Sequence, residues 1–296
     1  MENDGTRKLK EMLDSGVITK EVYDEILSRW DFSGNSNNVA SGKETTGEEK
    51  GRKRGESVRV SGSSSLSEVF AREMRVSGSS KIEGNCDADI IHISGSTSVG
   101  GDVISSDTIE VSGSMRVEGK IAGNNVSSSG SLQASEIHCH NIHGSGSLHI
   151  KGSITAEEGS FSGGCEAKSL KVFDLESSGS IRAETIESDS IILHGSIKSE
   201  SVVCREIEIE IYSSAGRIKD LAADTVTITP RMRIFSMGEI RIENIKCKKG
   251  DFDGLKSSRV VGEDLHFGSN CRIDYAEGRR ITMEEGAVIR EKKIVD

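Results

Sequence analysis

The sequence predicts a mainly β fold: a three-sided parallel β-helix of roughly 14 rungs, preceded by a small helical hairpin and a flexible linker. Three observations predict it. A Ser-Gly-Ser corner, or a close variant, recurs at Gly62, Gly78, Gly95, Gly113, Gly130, Gly146, Gly163, Gly179 and Gly195, at intervals of 16 to 18 residues. Between corners, apolar residues step by five, five and six, as at Ile181, Ile186, Ile191, Ile197, Val202 and Ile207. The composition, 34% hydrophobic but 4% aromatic with one proline, describes a thin core of small aliphatic side chains.

Residues 1–30 read as the hairpin. Leu9, Met12 and Leu13 share one helical face, Gly16 suits a C-cap and Thr19 an N-cap. The second helix carries Val22, Tyr23, Ile26, Leu27 and Trp30 at helical spacing. Two short helices bury little alone, so this apolar face is expected to dock on another protein or another copy. Residues 31–57 are Ser, Gly, Asn, Lys and Glu with almost nothing apolar, and read as a disordered linker. Its "GRKRG" (51–55) would touch phosphate or acidic lipid only in the absence of Glu48, Glu49 and Glu56; with them it reads as a solvated basic run.

Residues 58–212 are the regular repeat. Two residues after most stepping positions stands a second small or apolar residue: Ala183, Ser188, Leu193, Ser199, Cys204. Strand geometry sends i and i+2 to one side, so each side reads as an inward pair and three sides make one rung. The same hexad recurs as Val69/Ala71/Met74, Cys86/Ala88/Ile91, Ile121/Gly123/Val126, Leu132/Ala134/Ile137 and Leu170/Val172/Leu175. The corner glycine is expected to supply backbone angles that branched residues resist, and the flanking serine hydroxyls to satisfy corner amides. In residues 213–296 the period loosens. "LAADTV" (221–226) and "LKSSRV" (255–260) still fit and "IRIENI" (240–245) fits less well. With Phe235, Phe252, Phe267 and Tyr275, this part reads as an irregular continuation and a terminal cap.

The cadence Val111-Ser-Gly-Ser-Met-Arg-Val117-Glu-Gly-Lys-Ile121 resembles the bactofilin family of polymer-forming cytoskeletal proteins. The resemblance covers about 80% of the chain, most closely 58–212. It implies a right-handed β-helix that joins end to end into filaments without nucleotide. "MLDSGVITKEVYDEIL" is similar to a short SHOCT-type helical module. The chain departs from the family in its longer core and its irregular end, which as a cap would stop growth at that end.

Little chemistry is expected. "GSMRVEGK" (113–120) has one residue too many between its glycines for a phosphate loop, and Ile121 stands where Ser or Thr is needed. Gly144-Ser-Gly146 precedes a strand rather than a helix. In "IHCHNIH" (137–143), His138 and His140 share a face that is expected to look to solvent, with no adjacent carboxylate, which makes a poor metal site. In "EIEIEI" (206–211) the isoleucines point in and Glu206, Glu208 and Glu210 out, which reads as a solvated acidic face, with a cation or basic-partner site as the lesser alternative. The six cysteines show no CxxC pair and read as reduced core residues. The steps are not the strict sixes of hexapeptide acyltransferases, and the rungs are shorter than those of polysaccharide lyases. No enzyme activity, cofactor or metal is therefore expected.

The formal charge of −10 argues against nucleic acid as partner. No apolar run reaches the ~18 residues of a membrane span and "MENDGTRKLKE" is no signal peptide. A cytoplasmic protein is expected, with peripheral membrane association left open. The leading expectation is a self-assembling scaffold. The alternative is a non-polymeric adhesin-like or envelope-associated module that recruits a partner through the hairpin. Assembly is expected at the ends. Val58, Val60 and Leu66 form an unguarded first rung, whereas charge surrounds Ile281, Met283, Val288 and Ile289 at the last.

Overall fold

The computed structural model describes residues 55–211, 214–230 and 239–295. The hairpin face, Phe235 and the linker up to residue 54 lie outside the described residues. Among the described residues the chain is a parallel β-solenoid of about 14 turns with no helix. It divides into two compact units, one reaching Lys151 and including Thr155–Glu157, the other Gly152–Ile154 and everything from Glu158.

The first unit holds β1 (Gly55–Val60), β2 (Ser63–Leu66), β3 (Val69–Val76), β4 (Ser79–Ile82), β5 (Cys86–Ile93), β6 (Ser96–Val99), β7 (Val103–Val111), β8 (Ser114–Val117), β9 (Lys120–Ser128), β10 (Ser131–Ala134), β11 (Glu136–Gly144) and β12 (Ser147–Ile150). Long and short strands alternate, and each pairs in parallel with its counterpart one coil away. In β5 the inward residues are Cys86, Ala88, Ile91 and Ile93, with Asp89 and Ile90 at the bend. One long strand therefore covers two sides, and the short β6 closes the third with Thr97 and Val99. These are the inward pairs the 5-5-6 stepping predicts. The chain enters the first coil earlier than composition suggests. Gly55 and Ser57 pair with Ala71 and Glu73, so residues 55–57 belong to β1 and not to the linker.

In the second unit lie β13 (Ser153–Phe161), where the two units divide, β14 (Gly164–Ser177), β15 (Ser180–Glu187), β16 (Ser190–Leu193), β17 (Ser196–Val203), β18 (Glu206–Ile211), β19 (Ser214–Ala222), β20 (Thr225–Pro230), β21 (Glu239–Lys246), β22 (Lys249–Phe252), β23 (Leu255–Val261), β24 (Asp264–Phe267), β25 (Arg272–Gly278), β26 (Arg280–Met283) and β27 (Val288–Ile294). Ile240, Ile242 and Ile245 are all buried, so "IRIENI" keeps the pattern in full. The core here takes larger rings. Phe252 and Phe267 stack at 5.3 Å between centroids. Gly250 makes room for them, because a Cβ there would stand 2.3 Å from the Phe252 ring.

The corner glycines serve a different purpose from the one their sequence context suggests. Among the described residues only Gly216, Gly254 and Gly286 have positive φ, and none belongs to a Ser-Gly-Ser corner. What the corners forbid is a Cβ. At Gly95 it would lie 1.9 Å from the Gly78 carbonyl oxygen, and at Gly113 2.0 Å from that of Gly95. Successive coils approach too closely there for any side chain. The corner amides are satisfied by backbone and not by serine hydroxyls. Ser94 and Gly95 both donate to the Val76 carbonyl, at 2.8 and 3.1 Å, and Ser96 donates to Gly78 at 2.9 Å.

Candidate functional site

Interior strands are bonded on both edges, and the terminal coils are not. At the start of the first unit, β1 bonds only to β3 and β2 only to β4 among the described residues. Val60 is 8% exposed, against 2% for Val76 one coil on; Leu66 is half-buried, whereas Ile82 above it is fully buried. Val58 is half-buried, and the Ser64 hydroxyl is enclosed without a partner, although Ser80 and Thr97 above it bond at 3.2 Å. The open edge thus shows apolar residues and unpaired amides, with Arg59 as its outward charge.

Gly62 adds a second feature to this edge. A Cβ on Gly62 would meet nothing within 4 Å. At Gly78, Gly95, Gly113, Gly130 and Gly146 the coil before forces glycine, whereas among the described residues no coil approaches Gly62. The corner sequence is nonetheless the one that close approach by a neighbouring coil requires.

The last coil is guarded. Ile281 is 7% exposed, Met283 44%, and Val288 53%, while Ile289 is half-buried. β27 bonds only to β25, and in that register Lys292 stands above the core residue Ala276. Its Nζ donates to the Ile281 carbonyl at 3.2 Å. An inward charge on an edge strand is a known device against pairing, because another coil would have to bury it. Arg290 pairs with Asp274 at 2.9 Å and Lys293 with Glu277 at 3.0 Å. Sequence reading sees the charges but misses the inward lysine, which shows only when β27 is aligned on β25.

The remaining candidates do not form a reactive centre. His138 is not solvent-facing as expected: its side chain is 13% exposed and lies 3.3 Å from Glu136, whose carboxyl Lys120 holds below its ordinary range by hydrogen bonding. His140 lies 2.6 Å from Glu157. Glu136 stands two residues before His138 on the same side of the strand, whereas Glu157 reaches His140 only across coils. No group of three metal-ligating side chains occurs among the described residues. All six cysteines are free and buried. Desolvation pushes the thiols of Cys86, Cys165, Cys204 and Cys247 up to about 12, so they stay protonated and unreactive near neutrality. Ile207, Ile209 and Ile211 point inward as expected, and Glu206 and Glu208 outward. A shallow outer groove of the second unit is lined by Val203, Ala222, Val261, Asp220, Asn244 and Arg259, among others. Asp220, the one carboxylate lining it, accepts from Asn244 at 2.7 Å, so the groove lacks the paired carboxylates of glycoside hydrolysis.

No helix among the described residues is long and apolar enough to cross a membrane. No family model, no curated protein and no solved structure matches the chain.

Proposed function

We propose that the chain is a structural protein that assembles with copies of itself through solenoid ends, without nucleotide. The observation that carries this reading is the first coil: among the described residues it has an open strand edge, partly exposed apolar core residues, and a glycine corner with nothing beneath it. Exposed edges template the pairing of another chain. The resemblance to bactofilins, with the right-handed, end-joined filaments it implies, points the same way. On this reading the chain is not an enzyme and works inside the cell as a scaffold.

A second reading is favoured by Lys292. If the guarded last coil never pairs, assembly stops at a bounded oligomer. The chain then acts as an adhesin-like or envelope-associated binding module whose hairpin recruits a partner.

Sedimentation velocity and electron microscopy of the purified chain, over a range of concentration and salt, test the first reading. Val60→Lys should remove end-to-end association and leave the fold intact, since the last coil already tolerates an inward lysine. A Val60→Lys chain that associates like the parent refutes end pairing. A parent chain that stays monomeric throughout favours the binding module.

A further inference from the structure

One outer face of the second unit carries a row of cations in strict register. Arg182 pairs with Lys198, Lys198 with Arg217, Arg217 with Arg241, Arg241 with Lys256, and Lys256 with Arg272. Six consecutive coils thus present a cation at the same outward position, in a chain of net charge −10. Like charges stacked directly opposite one another destabilise a sheet. Carboxylates offset only part of the row. Arg182 has Glu166 at 3.6 Å, Arg217 pairs with Glu243, and Lys256 has Glu239 at 2.5 Å. Lys198, Arg241 and Arg272 have no ion pair among the described residues. The adjoining corner holds Glu200, Lys219 and Glu243, with Lys219 3.8 Å from Glu200.

The opposite sign stands on another face of the same unit. Asp174 and Glu176 lie two coils from Glu206 and Glu208 in the same two columns, through Ser190 and Ile192. All four carboxylates are exposed, and Ile192 between Glu176 and Glu208 is an exposed apolar residue.

We infer that the cation row is a lateral docking surface for the acidic face of a second copy. Charge complementarity and pitch carry the assignment. Coils of a parallel stack repeat every ~4.8 Å, so Glu176 and Glu208, two coils apart, match the spacing of Lys198 and Arg241, also two coils apart on the row. An extended acidic peptide repeats its same-side charges every ~6.6 Å and drifts out of step. Because the two faces differ, the contact is head-to-tail in kind and leaves a free face of each sign for a further copy. The inference rests on the self-assembly reading and adds sideways growth to end pairing.

The test uses two double variants of the full chain: Lys198→Glu with Arg241→Glu, and Glu176→Lys with Glu208→Lys. All four side chains are exposed, and circular dichroism melting checks that folding is kept. Each variant alone should lose lateral association at low salt, seen as thin assemblies by electron microscopy and at least a tenfold fall in light scattering. An equal mixture of the two should regain it, and about 1 M salt should abolish it in the parent. The inference is overturned if either variant bundles like the parent or if the mixture gains nothing. It is likewise overturned if Lys198 and Arg241 affect only binding of polyuridylate, which would make the row a nucleic-acid site. Val60→Lys separates the two levels: loss of length without loss of width tests end pairing alone.

Discussion

Replacing Gly130 with alanine tests one of the solenoid's closest coil-to-coil contacts. The new Cβ would stand 1.9 Å from the Gly113 carbonyl oxygen and 2.6 Å from that of Ser112. Comfortable contact needs about 3.4 Å, so the two coils must part by roughly 1.5 Å. Parting stretches the bonds that close the corner, from Gly130 N to Val111 O at 3.1 Å and from Ser131 N to Gly113 O at 2.9 Å. Overpacking costs about 1–3 kcal/mol and each lost bond about 1 kcal/mol, so the substitution should cost about 3–5 kcal/mol. For a chain of this size the thermal midpoint should fall by about 10 °C. Far-UV circular dichroism melting reads this directly, with Gly62→Ala as control. That Cβ enters open space, so stability should change by less than about 0.5 kcal/mol. Equal midpoints for the two variants would refute the close-approach account of the corners.

Other expectations follow from burial and charge. Ile186→Asp sets an unpaired carboxylate among aliphatic neighbours and should cost at least about 3 kcal/mol by urea unfolding, whereas Glu187→Lys, outward by one residue, should cost almost nothing; equal damage would contradict the register. The six thiols should resist a thiol-specific reagent at neutral pH until denaturant is added, and fast labelling of the native chain would contradict their burial. Arg205 holds the Asp189 carboxyl, and Arg280 that of Asp264, below the ordinary value of 3.8. Because these folded-state values lie below the unfolded ones, their stabilisation is complete above about pH 4 and is lost as pH falls through the folded values. Melting midpoints should therefore hold from about pH 7 to about pH 5 and decline below, and a midpoint that rises on acidification would contradict the sign.

Much of the fold was legible because one periodic pattern encodes it. Inward pairs at i and i+2, stepping 5-5-6, fix which residues meet the core without knowledge of neighbours. The pattern blurs after Tyr212 where Gly250 and Phe252 exchange volume across one side, a trade that a list of apolar positions does not display. What the sequence hides is contact between coils. The reason for a corner glycine lies in a carbonyl 16 to 18 residues away, not in its own torsion angles. His140 meets Glu157 for the same reason, and Arg182 meets Lys198. Lys292 looks like one more surface charge until its register with Ala276 turns it inward. The edge residues of the first coil, Val58, Val60 and Leu66, were readable from the lack of charge around them. The emptiness beneath Gly62 was not, since in sequence it matches every other corner.

Gly62→Ala also gives the most direct measurement of the central claim. Its Cβ has no neighbour among the described residues, yet it would strike the backbone of any coil stacked on the first edge as closely as at the interior corners. Sedimentation velocity across a concentration series should show the parent chain shifting to faster species as concentration rises. With lateral charge contacts screened by about 1 M salt, under which the parent still pairs through its ends, Gly62→Ala should stay at the monomer value with an unchanged circular dichroism spectrum and melting midpoint. If Gly62→Ala associates as the parent does, the first coil is not the surface through which the chain assembles.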